Sequence, residues 1–254
     1  MLLCLDVSNT TIKAGVFSGD RLLGSFRFAS DRAKQADEYA MLLLGLLSAA
    51  GLPAAEVTGV AISCVVPPLR AVFEELSRKY LKTVPVAVGP DVAVGIVLDV
   101  DSPRDVGADR VVNALAVHRL YGGPAIAIAF GTATVFDCVS ADGRYLGGAI
   151  APGMVTALES LTRSAAQLFQ IELVAPPTAI GRTTVANLQS GLVLGFAGLV
   201  EGMVRRLRRE LGADARVVAT GGLADVVAPA TDVLETIDPH LTLKGLRLIH
   251  ELNA

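Results

Sequence analysis

The sequence has few of the residues that build disulfide-rich domains and metal centres. It contains three cysteines, three histidines and no tryptophan among 254 residues. Cys4, Cys64 and Cys138 each lie within or at the end of an apolar, strand-like stretch, and no two of them have the spacing of metal ligands. We therefore expect buried free thiols in a reducing cytoplasm. The histidines are isolated from one another and from the cysteines, which argues against a zinc site or a Cys–His nucleophile pair.

The sequence also lacks a strong charge and a long uninterrupted apolar segment. Its net charge is −3, from 22 basic and 25 acidic residues, so we expect no nucleic-acid partner and no anionic membrane partner. The mean hydropathy is high at +0.54, but the most apolar long stretch, residues 188–204, contains three polar or charged residues. It falls short of the ~18 to 20 apolar residues that a membrane span requires. The apolar N-terminus has no basic flank and soon reaches Asp6, which predicts a strand and not a signal peptide.

The sequence does contain an internal repeat. Residues 125–147, AIAIAFGTATVFDCVSADGRYLG, predict a strand, a tight Gly/Thr turn, a second strand and a third. A shift of 123 residues without a gap aligns them with residues 2–24, LLCLDVSNTTIKAGVFSGDRLLG. The turn at 8–10 then aligns with the turn at 131–133. Because 123 is close to half of 254, the repeat indicates two copies of one structural unit.

Both repeated turns are suited to phosphate binding. Small residues let backbone N–H groups approach a ligand, and Thr and Asn side chains add donors. Two such turns could grip one polyphosphate from both sides. Each turn alone is more typical of a plain hairpin, but the repetition favours the phosphate interpretation.

The remaining sequence predicts alternating strands and helices. This pattern is typical of an α/β fold in which helices cover a partly parallel sheet. The predicted strands are residues 57–63, 84–88 and 216–220, and the predicted helices are residues 38–50, 68–80, 154–169, 185–211 and a last helix from 241. Thr184 could cap the helix at 185–211. The turn Thr220-Gly221-Gly222 follows a strand and is a weak nucleotide-binding signal.

Gly107-Ala108-Asp109-Arg110 opens a further helix that we expect to reach Tyr121. In its first turn the helix dipole stabilises an ionised Asp109 by roughly 0.3 to 1 kcal/mol, which alone could explain that residue. Arg110 opposes the dipole. A carboxylate or phosphate ligand would explain it.

A stripe of glycines marks one face of the helix at 185–211. Gly191, Gly195, Gly198 and Gly202 recur at steps of 4, 3 and 4. Each interior glycine costs about 0.8 to 1 kcal/mol relative to alanine. We therefore expect another helix to pack closely on this stripe, within the subunit or across a dimer axis. The helix ends in four arginines, which complement its negative end.

The ordered motifs resemble those of the type III pantothenate kinases, within the actin, hexokinase and sugar kinase superfamily. The matching segments are DVSNT (6–10), SCVVP (63–67), GADR (107–110), FGTAT (130–134), GGAIAPG (147–153), TGG (220–222) and LTLKGL (241–246). The resemblance covers residues 1 to about 251. It implies an α/β fold with two ribonuclease-H-like (actin-like ATPase) domains, residues 1–121 and 122–254. Each domain would be a mixed sheet that opens with three antiparallel strands and is flanked by helices.

The same resemblance implies ATP-dependent phosphorylation of pantothenate to 4'-phosphopantothenate, the first step towards coenzyme A, by a homodimer that uses Mg²⁺. Asp109 would be the general base, and Asp6 would also contact Mg²⁺. The implied ATP-binding residues are Asp6, Val7, Ser8, Asn9, Thr10, Thr11, Ile12, Lys13, Gly131, Thr132, Gly221 and Gly222. The implied pantothenate-binding residues are Val100, Gly107, Ala108, Asp109, Arg110 and Thr184.

Four positions depart from the family pattern. The chain has Ser8, Val100, Ala129 and Val135 where the family usually has Gly, often Tyr, Asp and Thr. Position 129 is the repeat partner of Asp6, and the family's aspartate there helps to bind a monovalent cation, K⁺ or NH₄⁺. A hard cation needs oxygen ligands, which the side chain of Ala129 does not offer. The protein then dispenses with this cation, uses Asp137 instead, or has reduced activity.

A second hypothesis is a degenerate paralogue that binds a nucleotide or a partner protein without efficient turnover, as a transcriptional accessory factor. Retention of Asp6, Asp109, Arg110 and Thr132 argues against it, because drift should not spare the chemical residues preferentially. A sugar or acetate kinase of the same superfamily is disfavoured because the chain is short and GADR points elsewhere.

Overall fold

The computed structural model describes residues 1–254, which form eleven strands and eight helices. The strands are β1 Leu2–Val7, β2 Thr11–Ser18, β3 Arg21–Ala29, β4 Gly59–Cys64, β5 Val86–Ala87, β6 Val97–Leu98, β7 Ala125–Phe130, β8 Ala133–Val139, β9 Arg144–Pro152, β10 Arg216–Gly221 and β11 Thr236–Ile237. The helices are α1 Ala36–Ala49, α2 Pro67–Tyr80, α3 Ala108–Tyr121, α4 Met154–Ser164, α5 Thr184–Gln189, α6 Gly195–Leu211, α7 Ala224–Val227 and α8 Leu241–Asn253. None of the helices combines the length and the apolar character that a membrane span needs.

The chain divides into two compact units. Unit 1 comprises residues 1–96, 102–116 and 242–254, and unit 2 comprises residues 97–101 and 117–241. The predicted domain boundary at 121/122 stays a prediction, and the units differ from it mainly at the C-terminus, because α8 groups with unit 1 from residue 242.

Unit 1 contains a mixed five-stranded sheet in the order β3-β2-β1-β4-β5. β1 pairs antiparallel with β2 and parallel with β4. Because β1 lies between them with both faces covered, its residues from Leu3 to Val7 are all buried, and it reads as a continuous apolar run interrupted only by Asp6.

The two faces of the unit 1 sheet pack against different helices. On one face, Leu3 and Leu5 share a core with residues of α1 and α2 such as Leu43 and Phe73. The opposite face packs against α3 and α8. Its core consists of Cys4, Phe17, Ala61, Val88, Val112, Leu115, Leu243, Leu246 and Ile249.

Unit 2 repeats this strand arrangement in a six-stranded sheet of order β11-β10-β7-β8-β9-β6. β7 pairs antiparallel with β8 and parallel with β10, as β1 does with β2 and β4. The β2–β3 and β8–β9 hairpins each contain one register irregularity, after Val16 and after Cys138. These sites lie within one residue of each other under the 123-residue shift. The predicted duplication is therefore present in strand order, direction and register.

Two predicted helices of unit 2 have different bounds from those expected. α4 ends at Ser164 instead of Phe169. Phe169 is 52% exposed, so a continued helix would bury little apolar surface. The helix predicted at 185–211 begins at Thr184 and contains one π-helical turn, Ser190–Leu194, between α5 and α6. Its buried face, including Val193 and Val200, packs on the sheet residues Ile126 and Ile128.

Candidate active site

The first repeated turn joins β1 to β2 in unit 1. It is closed by a hydrogen bond of 3.2 Å from the Ser8 N–H to the Thr11 carbonyl. Asn9 and Thr10 are exposed at its tip. The Arg32 guanidinium donates to Asn9 Oδ1 at 3.0 Å, so it orients the amide. Sequence reasoning missed Arg32, because it lies 23 residues away on the loop after β3 and belongs to no motif.

Asp6 lies at the end of β1 beneath this turn. It is 4% exposed, and its Oδ1 atom has no hydrogen-bond partner. Strand pairing places Lys13 of β2 on one side of Asp6 and Ser63 of β4 on the other. Burial raises the pKa of Asp6 to about 6; Lys13 opposes this rise and the charge of Asp109 adds to it. Asp6, Lys13 and Asp109 are therefore neighbours within unit 1.

Asp109 lies in the first turn of α3, as the sequence predicted. The Gly107 carbonyl accepts hydrogen bonds from the N–H groups of Arg110 at 3.0 Å and Val111 at 3.2 Å. The Asp109 Oδ1 atom accepts from the Arg110 N–H at 2.9 Å. Burial raises the pKa of Asp109, against the opposing effects of Arg110 and Lys13. A raised pKa makes the carboxylate a stronger base.

The second repeated turn joins β7 to β8 in unit 2. The Gly131 N–H donates to the Ala133 carbonyl at 3.0 Å. The Thr132 carbonyl accepts from the Gly153 N–H at 2.9 Å and from the Thr156 hydroxyl at 2.8 Å, so the first turn of α4 holds this turn in place. A Cβ atom at position 153 would lie 2.2 Å from the Gly131 carbonyl oxygen, so only glycine fits. The requirement for glycine at position 153 explains the end of the glycine-rich motif GGAIAPG (147–153) in the sequence.

Gly221 ends β10 and Gly222 follows it, beside this turn. Gly221 has φ +100° and pairs with Phe130, whose carbonyl oxygen would lie 2.3 Å from a Cβ atom at position 221. This approach requires glycine. The structure therefore brings Gly221 next to the residue that precedes Gly131. The helix after this turn, α7, has only four residues, so it provides little of the dipole that the sequence signal assumed.

Ala129 lies in the middle strand of unit 2, between Val135 of β8 and Thr220 of β10. Neither neighbour carries a carboxylate. Asp137 lies two pairs further along β8, is buried, and accepts a hydrogen bond from the Tyr145 hydroxyl at 3.0 Å. The side chains beside position 129 thus supply one hydroxyl and no charged oxygen, which does not fit a monovalent cation site.

The two remaining predicted substrate residues also lie in unit 2. Val100 follows β6, is half-buried, and contacts the position where Gly147 would carry a side chain. Thr184 is exposed in the first turn of α5. It is not the cap: the N-cap of α5 is Thr183, whose hydroxyl oxygen accepts from the Ala186 N–H at 3.1 Å. Thr184 is therefore free of the capping role that the sequence allowed.

Comparisons with known protein structures agree with this fold. A Campylobacter jejuni structure described as a Baf family transcriptional activator aligns with a TM-score of 0.63 at 17% identity, over 99% of this chain and 98% of that one. An inorganic polyphosphate/ATP-glucomannokinase from Arthrobacter sp. strain KM aligns with a TM-score of 0.55 at 17% identity, over 100% and 99% of the two chains. At these identities the similarity concerns the fold alone, and the predicted α/β fold class is confirmed.

Sequence comparisons are more specific. The type III pantothenate kinase family model matches residues 2–206. A type III pantothenate kinase from Roseiflexus sp. (strain RS-1) is 50% identical over 253 residues, which cover 100% of this chain and 99% of the relative. Another from Moorella thermoacetica is 49% identical over 254 residues, covering 100% of both chains. The chain therefore belongs to the type III pantothenate kinase family.

Proposed function

We propose that this protein transfers the γ-phosphoryl group of ATP to the hydroxyl group of pantothenate. The observation that carries this proposal is the grouping of Asp109, Asp6 and Lys13 within unit 1 of a chain from this family. Phosphoryl transfer needs mainly positioning and charge neutralisation, for which donor-rich turns, one cation and one carboxylate suffice.

Within unit 1, residues 6–13 are the proposed contacts of the ATP phosphates, and Gly107, Ala108 and Arg110 are the proposed contacts of pantothenate. Within unit 2, the residues proposed for ATP are Gly131, Thr132, Gly221 and Gly222, and those proposed for pantothenate are Val100 and Thr184. Asp109 accepts the proton of the pantothenate hydroxyl group. The oxygen of that hydroxyl group bonds to the γ-phosphorus, and the bond between the γ-phosphorus and the oxygen that bridges it to the β-phosphate breaks. ADP leaves with the electron pair of the broken bond.

Mg²⁺ fits the residues of unit 1. The unpartnered, buried Oδ1 atom of Asp6 can bind a hydrated cation. No group of three or more His, Cys, Asp and Glu side chains could hold a metal alone, and Mg²⁺ usually binds through one or two carboxylates, phosphates and several waters. Bound there, Mg²⁺ would neutralise charge that develops on the phosphates. Together with Mg²⁺, Asp6 and Lys13 would hold and orient the ATP phosphates.

The test is a coupled assay of ATP consumption with and without pantothenate. We expect pantothenate-dependent turnover, and a loss of roughly 10² to 10⁴ in kcat for Asp109→Asn, because the positioned base is removed. Asp105→Asn is the control, since Asp105 is an exposed carboxylate four residues away. Absence of pantothenate-dependent turnover in the unaltered protein would refute this function and favour the nucleotide-binding paralogue. Calorimetric titration with ATP and with pantothenate would then show which ligand is retained.

We also propose that catalysis does not depend on a monovalent cation, since the surroundings of Ala129 do not fit one. We expect rates in K⁺, NH₄⁺ and Na⁺ salts at equal ionic strength to agree within about twofold, because no charged oxygen ligand distinguishes these ions. Tenfold activation by K⁺ would contradict this proposal and would point to Asp137.

Finally, we propose a cytoplasmic homodimer. All three cysteines are free thiols, as is usual in a reducing compartment. The glycine stripe of the long helix supports the dimer: nothing in the chain lies within 4 Å of a Cβ atom at Gly191, Gly195 or Gly198. The helix expected to pack on these three positions is therefore absent from the chain itself, and a second copy can supply it.

A further inference from the structure

Two adjacent buried oxygen atoms in unit 1 have no hydrogen-bond partner. Ser63 is fully buried near the end of β4, and its Oγ atom makes no hydrogen bond. Asp6 pairs with Ser63 in the parallel β1–β4 register, and its Oδ1 atom is also unpartnered. Neighbouring strands lie about 4.8 Å apart, and paired residues point to the same face of the sheet. The two side chains are therefore neighbours.

The other buried polar side chains of unit 1 do have partners. The Ser77 hydroxyl donates to the Phe73 carbonyl at 2.7 Å, and the Thr242 hydroxyl donates to Asn113 Oδ1 at 2.8 Å. Buried polar atoms are rarely left unpaired in proteins, and an exception often marks the place of a water or an ion. Unit 1 has two further unpaired buried atoms, Ser30 Oγ and Arg247 Nε, but both belong to side chains that are only partly buried. Among the residues of unit 1 that are buried as a whole, Asp6 and Ser63 alone have an unpaired atom.

We propose that Ser63 is a positioning residue for Mg²⁺: its Oγ atom and Asp6 Oδ1 accept the two hydrogen bonds of one water molecule in the metal's coordination shell. This inference rests on the proposed kinase function. A metal-bound water directs both hydrogen atoms outward, and a serine hydroxyl and a carboxylate both have lone pairs to accept them. Mg²⁺ keeps several of its waters when it binds with phosphates. Ser63 acts through this water and touches neither substrate.

The proposal gives a chemical role to a sequence motif that had none. Ser63 opens the segment SCVVP (63–67), which supported the family resemblance without any assigned chemistry. In the repeat-related unit, Thr220 pairs with Ala129 as Ser63 pairs with Asp6, and its hydroxyl is likewise buried and unpartnered. The carboxylate is present only in unit 1, so the proposed water site is confined to that unit.

The test measures Mg²⁺ affinity by calorimetry, with the protein saturated by a non-hydrolysable ATP analogue. We expect Ser63→Ala to raise the Kd of Mg²⁺ roughly 10-fold or more, since outer-shell partners of a metal commonly contribute 10- to 100-fold. Ser63→Thr keeps the hydroxyl and should stay within about threefold of the unaltered protein. Ser63→Cys keeps the volume but is a poor hydrogen-bonding group, so it should behave as Ser63→Ala. The isosteric cysteine variant also serves if the alanine variant fails to fold.

Ser77→Ala is the matched control, because it deletes an equally buried serine hydroxyl in unit 1 whose partner is a backbone carbonyl. We expect it to leave the Kd of Mg²⁺ unchanged. A Kd for Ser63→Ala within twofold of the unaltered value, or an equal loss in Ser77→Ala, would overturn the proposal. These titrations contain no pantothenate, so their outcome is separate from a failure of pantothenate turnover.

Discussion

Gly107 leaves room for the carboxylate of Asp109. A Cβ atom at position 107 would lie 2.8 Å from Asp109 Oδ1, so a side chain there must displace the proposed base. We expect Gly107→Ala to lower kcat by about 10- to 100-fold, because misplacing a reacting group by ~1 Å costs up to ~10² in rate. Binding of Mg²⁺ with the ATP analogue should not change.

Steady-state kinetics and calorimetry measure these two quantities. Gly45→Ala is the control, since Gly45 lies in α1 with nothing within 4 Å of its would-be Cβ atom. Unchanged kcat in Gly107→Ala would mean that Asp109 tolerates displacement or is not the base.

Burial of Asp6 makes the stability of the ligand-free protein depend on pH. Its folded-state pKa is about 6, against 3.8 for a free carboxyl group. Between these values the folded state binds more protons than the unfolded state, so the free energy of unfolding falls as pH rises through this window. Above pH 6 the full cost of the buried charge is about 3 kcal/mol, at 1.36 kcal/mol per pKa unit. The raised pKa of Asp109 acts in the same direction.

We therefore expect Asp6→Asn to raise the Tm of the ligand-free protein by several degrees at pH 7.5, because the amide is uncharged. The difference should shrink towards pH 4, where Asp6 is protonated. Calorimetric scans from pH 4 to 8 measure it, with Asp20→Asn, an exposed hairpin residue, as the control. A lower Tm for Asp6→Asn at pH 7.5 would show that Lys13 compensates the buried charge fully.

At the scale of elements, two consecutive threonines at the start of α5 have different expected roles. Thr183 caps the helix, so Thr183→Ala should cost about 1 kcal/mol of stability, which lowers the Tm by a few degrees. Thr184 is exposed and has no capping role. Thr184→Ala should leave the Tm unchanged and raise the KM for pantothenate. Thermal scans and kinetics on both variants test this, and a lower Tm with an unchanged KM for Thr184→Ala would remove Thr184 from the proposed site.

Helix ends were harder to predict from the sequence than strands. The strands predicted at 57–63, 84–88 and 216–220 agree within two residues with β4, β5 and β10, because short apolar runs between turn residues have clear limits. The helix predicted at 154–169 was five residues too long, and Phe169 at its predicted end is exposed. Helix propensity alone does not report whether a side chain finds a core to pack on.

At the scale of the whole molecule, we expect the protein to sediment as a dimer. Gly195→Leu with Gly198→Leu should shift it to a monomer at micromolar concentration, because two large side chains would separate helices packed on the stripe. Within one chain these positions are open, so the substitutions should not unfold it. Gly45→Leu, at an open glycine of α1, is the control. A monomeric unaltered protein, or a double variant that stays dimeric, would contradict a dimer built on this stripe.

The sequence by itself determined the duplication, the α/β class and the family, and it predicted Asp6 and Asp109 as the chemical residues. These features are local or periodic: motif order, a repeat offset of 123 residues and apolar runs are all visible along one chain. Only the tertiary structure decided which side chains are neighbours. Strand register placed Ser63 beside Asp6 and Thr220 beside Ala129, across separations of 57 and 91 residues. Burial then left the two hydroxyls without partners. Pairing between distant strands depends on the packing of the whole sheet, and no local pattern encodes it.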